Sequence, residues 1–197
     1  MALRVLNHLE LESRLSRSGI GTATDHQRAA LGRTDVEVIT SPWRGGTPAT
    51  GLRSLATGGG LFREYDVAHC NLVGPGSLAV ARHAVRNDIP LVLHAHVTRE
   101  DFAESFRGST TVAPALGRYL KRFYSQADLV LCPSEYTKRV LESYPVTSPI
   151  RPVTNGVDVD ALAGFADRRE AYRDRDGISG VGGFLVGHVF RRKGLSA

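Results

Sequence analysis

The chain has 197 residues, of which 42% are hydrophobic and 23% charged, with a formal net charge of +5 from 25 Lys and Arg against 20 Asp and Glu. At roughly 150 residues per domain this is one domain and a remainder, with enough apolar content for a core and too much for a disordered chain. The mild basic excess suits phosphate groups or acidic lipids; without a dense basic run, interleaved aromatics or zinc-finger spacing, it does not indicate nucleic-acid binding.

The N-terminal stretch Met1 to Leu6 is soon interrupted by Asn7, His8 and Glu10, so it does not read as a signal peptide. Short apolar runs predict strands at Arg4–Leu9, Val36–Thr40, Asp66–Cys70, Pro90–His94, Asp128–Cys132 and Ile150–Val153. Several carry few polar residues, as strands buried on both faces of a parallel sheet do. A first helix is expected to start near Thr22–Thr24, because Thr24 and Gln27 have capping-box spacing. The Gly-rich crossover between Ser41 and Tyr65 reads as a loop with a short helix near Leu52–Ala56. Further helices are predicted from Pro75 to Asn87, from Ala113 to Gln126, and from an N-cap at Ser134 to Tyr144. Strand–helix alternation of this kind predicts an α/β fold, a doubly wound Rossmann-like parallel sheet, with ligands at the carboxyl ends of its strands.

The charged segment from Asp160 to Asp176 reads as a solvated helix or linker, and Val181 to Val186 as the first strand of a second domain. The expected organisation is therefore residues 1–158 as one Rossmann-like domain, 159–180 as a charged helix or linker, and 181–197 as the start of a second, truncated domain. Cys70 and Cys132 are far apart and each ends an apolar run, which predicts buried, reduced thiols. No apolar stretch reaches the roughly 18 residues of a spanning helix. The expected location is the cytoplasm, free or peripherally attached to the inner face of the membrane.

Several short constellations fall where that fold would place chemistry. Ser18-Gly19-Ile20-Gly21 precedes a helix, whose N-terminus favours an anion, although a tight turn alone explains the glycines equally well. His94-Ala95-His96 ends the fourth strand, and alternation puts both imidazoles on one side. Three readings are open there: hydrogen-bonded scaffold, a metal site with Asp101, or a neutral histidine acting on a hydroxyl. Asn155-Gly156 is a turn signal, and Arg191-Arg192-Lys193 is either a solvated charge run or a set of cations for a diphosphate. Arg118, Lys121 and Arg122 lie at helical spacing beside Leu116, Leu120 and Phe123, giving a basic amphipathic helix that suits an acidic lipid surface or ordinary core packing.

Taken in order, these segments resemble the retaining glycosyltransferases of family four, which have the GT-B fold. The resemblance runs through Ser18-Gly19-Ile20-Gly21, Tyr65-Asp66-Val67-Ala68-His69, His94-Ala95-His96 and Pro133-Ser134-Glu135. It continues through Pro152 to Asp158 and Val186-Gly187-His188 to Gly194. The stretch from His94 to Ser109 is most similar to enzymes that glucosylate diacylglycerol glycolipids. The resemblance implies two Rossmann-like domains facing a cleft, with this chain holding the acceptor side and the start of the donor side. It implies transfer of a hexose from a nucleotide-sugar, with UDP-glucose as co-substrate, to a glycolipid or other glycan, with retention and without metal or other cofactor. By position, His96 is implied as the catalytic histidine; Gly19, Gly21, Asn155, Arg192 and Lys193 as donor contacts; and His94, Glu100 and Asp101 as acceptor contacts. The family's paired donor-binding glutamates fall beyond Ala197, so the expectation is that this chain alone is inactive. The alternative is a non-catalytic acceptor- or membrane-binding remnant of such an enzyme.

Overall fold

The computed structural model describes residues 2–43, 53, 56, 62–103, 109–160 and 163–182. Its described residues form two compact units, Met1–Gly156 and Val157–Ala197.

The first unit is built on a six-stranded, all-parallel sheet. The strands are β1 (Leu3–His8), β2 (Val36–Ile39), β3 (Val67–Cys70), β4 (Leu91–His94), β5 (Leu129–Cys132) and β6 (Ile150–Pro152). Their order is β2-β1-β3-β4-β5-β6. The chain steps outward from β1 to β2 and then crosses back to β3, so the direction of winding reverses between β1 and β3. Such a reversal opens a crevice at the carboxyl ends of the two strands. Asn7 pairs with His69 and His8 with Cys70 in the register there, so polar residues line that crevice.

The strands form where apolar residues can be covered on both faces. Leu6, Ala68, Leu91, Leu93 and Val130 are at most 1% exposed. The helices between them are α1 (Glu12–Leu15), α2 (Gly19–Leu31), α3 (Pro75–Arg86), α4 (Arg99–Ala103), α5 (Ser109–Tyr124) and α6 (Glu135–Glu142). In α3 the small residues Ala79, Ala81 and Ala84 let the helix approach the core closely, and Pro75 fits its first turn, where no intrahelical N–H bond is lost. Leu120, Phe123 and Tyr124 of α5 are buried, whereas Arg118, Lys121 and Arg122 are exposed. Cys70 and Cys132 are free, buried thiols.

Two aspartates seal the sheet at its amino edge. Asp66 takes a hydrogen bond from the Arg4 N–H at 2.8 Å, and Asp128 one from the Leu91 N–H at 2.7 Å. Both side chains satisfy a backbone donor at the start of a neighbouring strand, where an unpaired buried N–H would be costly.

α2 differs from the helix expected to start near Thr22–Thr24. It begins at Gly19, with Ser18 as its cap: Gly21 N–H donates to Ser18 Oγ at 3.1 Å. Thr24 lies inside the helix and donates from Oγ1 to Ile20 O, and Gln27 turns toward the strand ends. The capping-box spacing of Thr24 and Gln27 is thus a coincidence of two residues with other partners. α5 starts four residues earlier than expected and keeps Pro114 inside it, which removes one backbone N–H donor. The short helix expected near Leu52–Ala56 falls largely outside the described residues.

The second unit, as described, contains a short 3-10 turn, Ala166–Arg168, running into α7 (Arg169–Arg175). The Arg175 guanidinium lies 4.8 Å from the centre of the Tyr172 ring and pairs with Asp176. The expected strand Val181–Val186, together with Arg192 and Lys193, lies almost wholly outside the described residues.

Candidate active site at the strand ends

Four segments meet at the carboxyl ends of β1, β3 and β4: Asn7, His69 with Asn71, His94 with His96, and the face of α2 that carries Gln27 and Arg28. The alternation read from His94-Ala95-His96 holds. The two imidazoles stack with centroids 4.0 Å apart, and His69 stacks with His94 at 5.9 Å. His69 and His94 are 8% and 3% exposed.

Behind this stack lies a polar network. Arg28 donates from Nε to Asn7 Oδ1 at 3.2 Å and from a terminal nitrogen to Asn7 O at 3.0 Å. Its other terminal nitrogen pairs with Glu12. Asn71 Nδ2 donates to the same Asn7 Oδ1 at 3.0 Å. Asn7 Nδ2 reaches Gln27 Oε1 at 3.3 Å and His69 Nδ1 at 3.4 Å. Gln27 Nε2 lies 2.9 Å from His94 Nδ1. The Nε2 atoms of His69, His94 and His96 are buried without a hydrogen-bond partner among the described residues. Each such atom costs about 1–3 kcal/mol if it finds no partner, and three together make this place the candidate site.

Burial also fixes the charge of these rings. It lowers the His94 pKa to about 2, with the neighbouring His96 and His69 adding to the effect. His69 is lowered to about 4 by burial and by His96, and His96 to about 4 by burial. All three are therefore neutral near pH 7 and act through hydrogen bonds, not as cations.

The loop after β1 braces the site from the other side. Glu10 caps α3, whose own cap residue, Gly74, has no side chain to do so. Glu10 accepts from Gly76 N–H at 3.3 Å and from Ser77 N–H at 2.8 Å. Burial works against the charged carboxylate, but His8 and these backbone donors outweigh it, and Glu10 titrates below the ordinary carboxylate range. A Cβ on Gly74 or Gly76 would come within 2.6 and 2.7 Å of the Glu10 side chain, so both glycines serve this contact.

The other expected site residues divide. Gly19 opens α2 with nothing within 4 Å of where its Cβ would be, whereas a Cβ on Gly21 would sit 2.1 Å from Leu15 O. Gly21 therefore has a packing reason for being glycine, and Gly19 is open to the outside. Asn155 is exposed beside Gly156, which has φ +73°, and the Gly156 carbonyl lies 3.3 Å from His26 Nδ1 of α2. The turn after β6 thus reaches the helix that opens with Gly19. Glu100 pairs with Arg99 at 2.8 Å and takes a hydrogen bond from Tyr144 Oη. Asp101 forms a reciprocal cap with Thr98: its N–H donates to Thr98 Oγ1 at 3.1 Å, and its carboxylate accepts from that hydroxyl at 3.0 Å. Among the described residues no three His, Cys, Asp or Glu side chains are grouped to hold a metal ion. The open reading of His94, His96 and Asp101 as a metal set is therefore not supported by their arrangement.

Asn7, Gln27, Arg28 and Glu10 are members of the site that the sequence did not single out. Asn7 carried the clearest signal, a neutral polar side chain near the carboxyl end of the first predicted strand.

The profile of glycosyltransferase family 4 matches residues 18–161. A processive diacylglycerol alpha-glucosyltransferase of Acholeplasma laidlawii is 29% identical over 196 residues, covering 98% of this chain and 52% of that protein. The chain thus spans about half the length of this relative. Among solved structures, the Anabaena protein HepE, in complex with UDP and glucose, superposes with a TM-score of 0.56 at 14% identity. That match covers 90% of this chain and 51% of HepE and shows a shared GT-B fold. No helix among the described residues is long and apolar enough to cross a membrane.

Proposed function

The chain belongs to glycosyltransferase family 4, and from that premise we propose that it forms the acceptor-side half of an enzyme that glucosylates a membrane glycolipid with retention. The observation that carries the proposal is the buried stack of neutral histidines at the carboxyl ends of β3 and β4, with three Nε2 atoms lacking a partner among the described residues. A sugar hydroxyl both donates and accepts hydrogen bonds and is matched by neutral imidazoles, so a glycan acceptor fits this surface. The lipid preference rests on the 29% identity to a diacylglycerol glucosyltransferase and on the exposed cations Arg118, Lys121 and Arg122 of α5. Near an anionic leaflet each such cation contributes about 1 kcal/mol.

In this reading the acceptor oxygen forms the new bond to the anomeric carbon of a nucleotide-sugar, UDP-glucose, while the bond from that carbon to the diphosphate breaks and the hydroxyl proton passes to the departing diphosphate. His96 contacts the reacting sugar, and His94 with its neighbours orients the acceptor. Gly19 and the N-terminus of α2 approach the donor phosphates, as does the Asn155 turn. Arg192 and Lys193 neutralise the leaving diphosphate. Transfer then relies on positioning and charge stabilisation more than on a strong base. The site works at the inner face of the membrane, from the cytoplasm.

Co-sedimentation with anionic vesicles, with and without glucosyl-diacylglycerol, tests this. A folded sample is expected to show a glycolipid-dependent component of binding that survives high salt. Equal binding to both vesicle types at every salt concentration would overturn the glycolipid reading.

A further inference from the structure

The polar network behind the histidine stack has a direction. Arginine has donors and no acceptor, so the bond from Arg28 Nε at 3.2 Å identifies the accepting atom of Asn7 as its oxygen. The Asn7 amide nitrogen must then face the other way, toward Gln27 and His69. Gln27 meets that donor with Oε1, which leaves Gln27 Nε2 as the group facing His94 at 2.9 Å. His94 Nδ1 must accept, and the ring proton of a neutral His94 then resides on Nε2. Asn7 imposes the same choice on His69, whose Nδ1 receives the second amide hydrogen at 3.4 Å.

We infer that Arg28, Asn7 and Gln27 are positioning residues: together they hold His94 and His69 as Nε2–H tautomers, so that the site presents two fixed N–H donors to its ligand. The network needs four elements, because Asn7 lies on β1, Gln27 and Arg28 on α2, His69 on β3 and His94 on β4. Glu12 anchors the far end by pairing with the Arg28 guanidinium. Both Nε2 atoms are buried and without a partner among the described residues, as donors reserved for a ligand oxygen would be. A His94 held in this form donates from Nε2 and has no lone pair there, so it does not take a proton from the acceptor hydroxyl. That consequence rests on the glycosyltransferase reading; the tautomer lock does not.

Long-range 1H–15N correlation spectra of the 15N-histidine-labelled chain at pH 7 report the tautomer of each ring, with His94→Gln and His69→Gln assigning the signals. The wild type is expected to show both rings as Nε2–H. Asn7→Asp removes the amide donor. Gln27 must then turn to donate toward Asp, and the expected spectrum has the protonated and unprotonated nitrogens of His94 and His69 exchanged. Gln27→Glu is expected to change His94 alone, to Nδ1–H or to the doubly protonated ring. A structural role would not produce this pattern, in which a residue that does not touch His94 inverts it. A wild-type spectrum with His94 as Nδ1–H, or as a mixture, overturns the inference. So does an Asn7→Asp spectrum that leaves His94 unchanged in a chain folded by circular dichroism. If that variant does not fold, the wild-type and Gln27→Glu spectra decide. The measurement uses no sugar and no lipid, so its failure and that of the glycolipid reading are separable.

Discussion

At the scale of single residues, the site is a place where polar groups are kept dry. Burying His69, His94 and His96 costs stability at low pH, and the sign follows from their lowered pKa values. Below about pH 6.5, the ordinary histidine range, the unfolded chain takes up protons that the folded rings refuse down to about 4 for His69 and His96 and about 2 for His94. The stability they permit is complete above pH 6.5 and falls as the pH drops from there toward 4. The ordinary titration range of histidine lies between pH 7 and 5, so the histidines dominate the slope there. Each contributes up to about 1.4 kcal/mol per pH unit at the steep end. Urea unfolding at a series of pH values is expected to show a falling midpoint from pH 6.5 to 5, with a shallower fall in His94→Gln. A flat profile would mean that the rings are solvated. Only part of this was legible in the sequence. His94-Ala95-His96 announced itself by alternation, but Asn7, Gln27 and Arg28 become a network only once β1, β3 and β4 lie side by side.

At the scale of elements, glycine positions and caps distinguish packing from ligand approach. Gly21→Ala drives a methyl group into Leu15 O and is expected to cost about 1–3 kcal/mol in thermal or urea unfolding. Gly19→Ala meets no atom within 4 Å and is expected to leave unfolding within about 1 kcal/mol of wild type, the ordinary helix-propensity range. If the two variants were equally destabilised, the separation of roles drawn here would be wrong. Glu10→Ala removes the cap of α3 and leaves the Gly76 and Ser77 N–H groups unpaired, for an expected loss of about 1–3 kcal/mol. The strands were legible in the sequence to within about a residue at most ends, because double-sided burial demands apolar runs and Asp66 and Asp128 mark where two of them begin. The start of α2 was not. Ser18 and the Thr24–Gln27 pair both have capping chemistry, and only the tertiary partners of Thr24 and Gln27 decide between them.

At the scale of the whole molecule, the first unit joins a family fold, a dry polar site at the winding reversal of its sheet, and a helix with exposed cations. Family membership follows from the profile match and the α/β architecture; the glycolipid acceptor is the step beyond it. The two sources of membrane binding are separable by mutation. Replacing Arg118, Lys121 and Arg122 together with Gln is expected to weaken binding to anionic vesicles by about a hundredfold at low salt, from about 1 kcal/mol per cation. Binding that depends on glucosyl-diacylglycerol should be left largely in place. The most direct measurement is therefore glycolipid-dependent co-sedimentation of the wild type beside His94→Gln and His96→Gln, at high salt, with folding checked by circular dichroism. Loss of the glycolipid-dependent component in the folded histidine variants, with the basal vesicle binding retained, is the predicted result. Histidine variants that bind the glycolipid as well as the wild type does would contradict an acceptor site at the ends of β3 and β4.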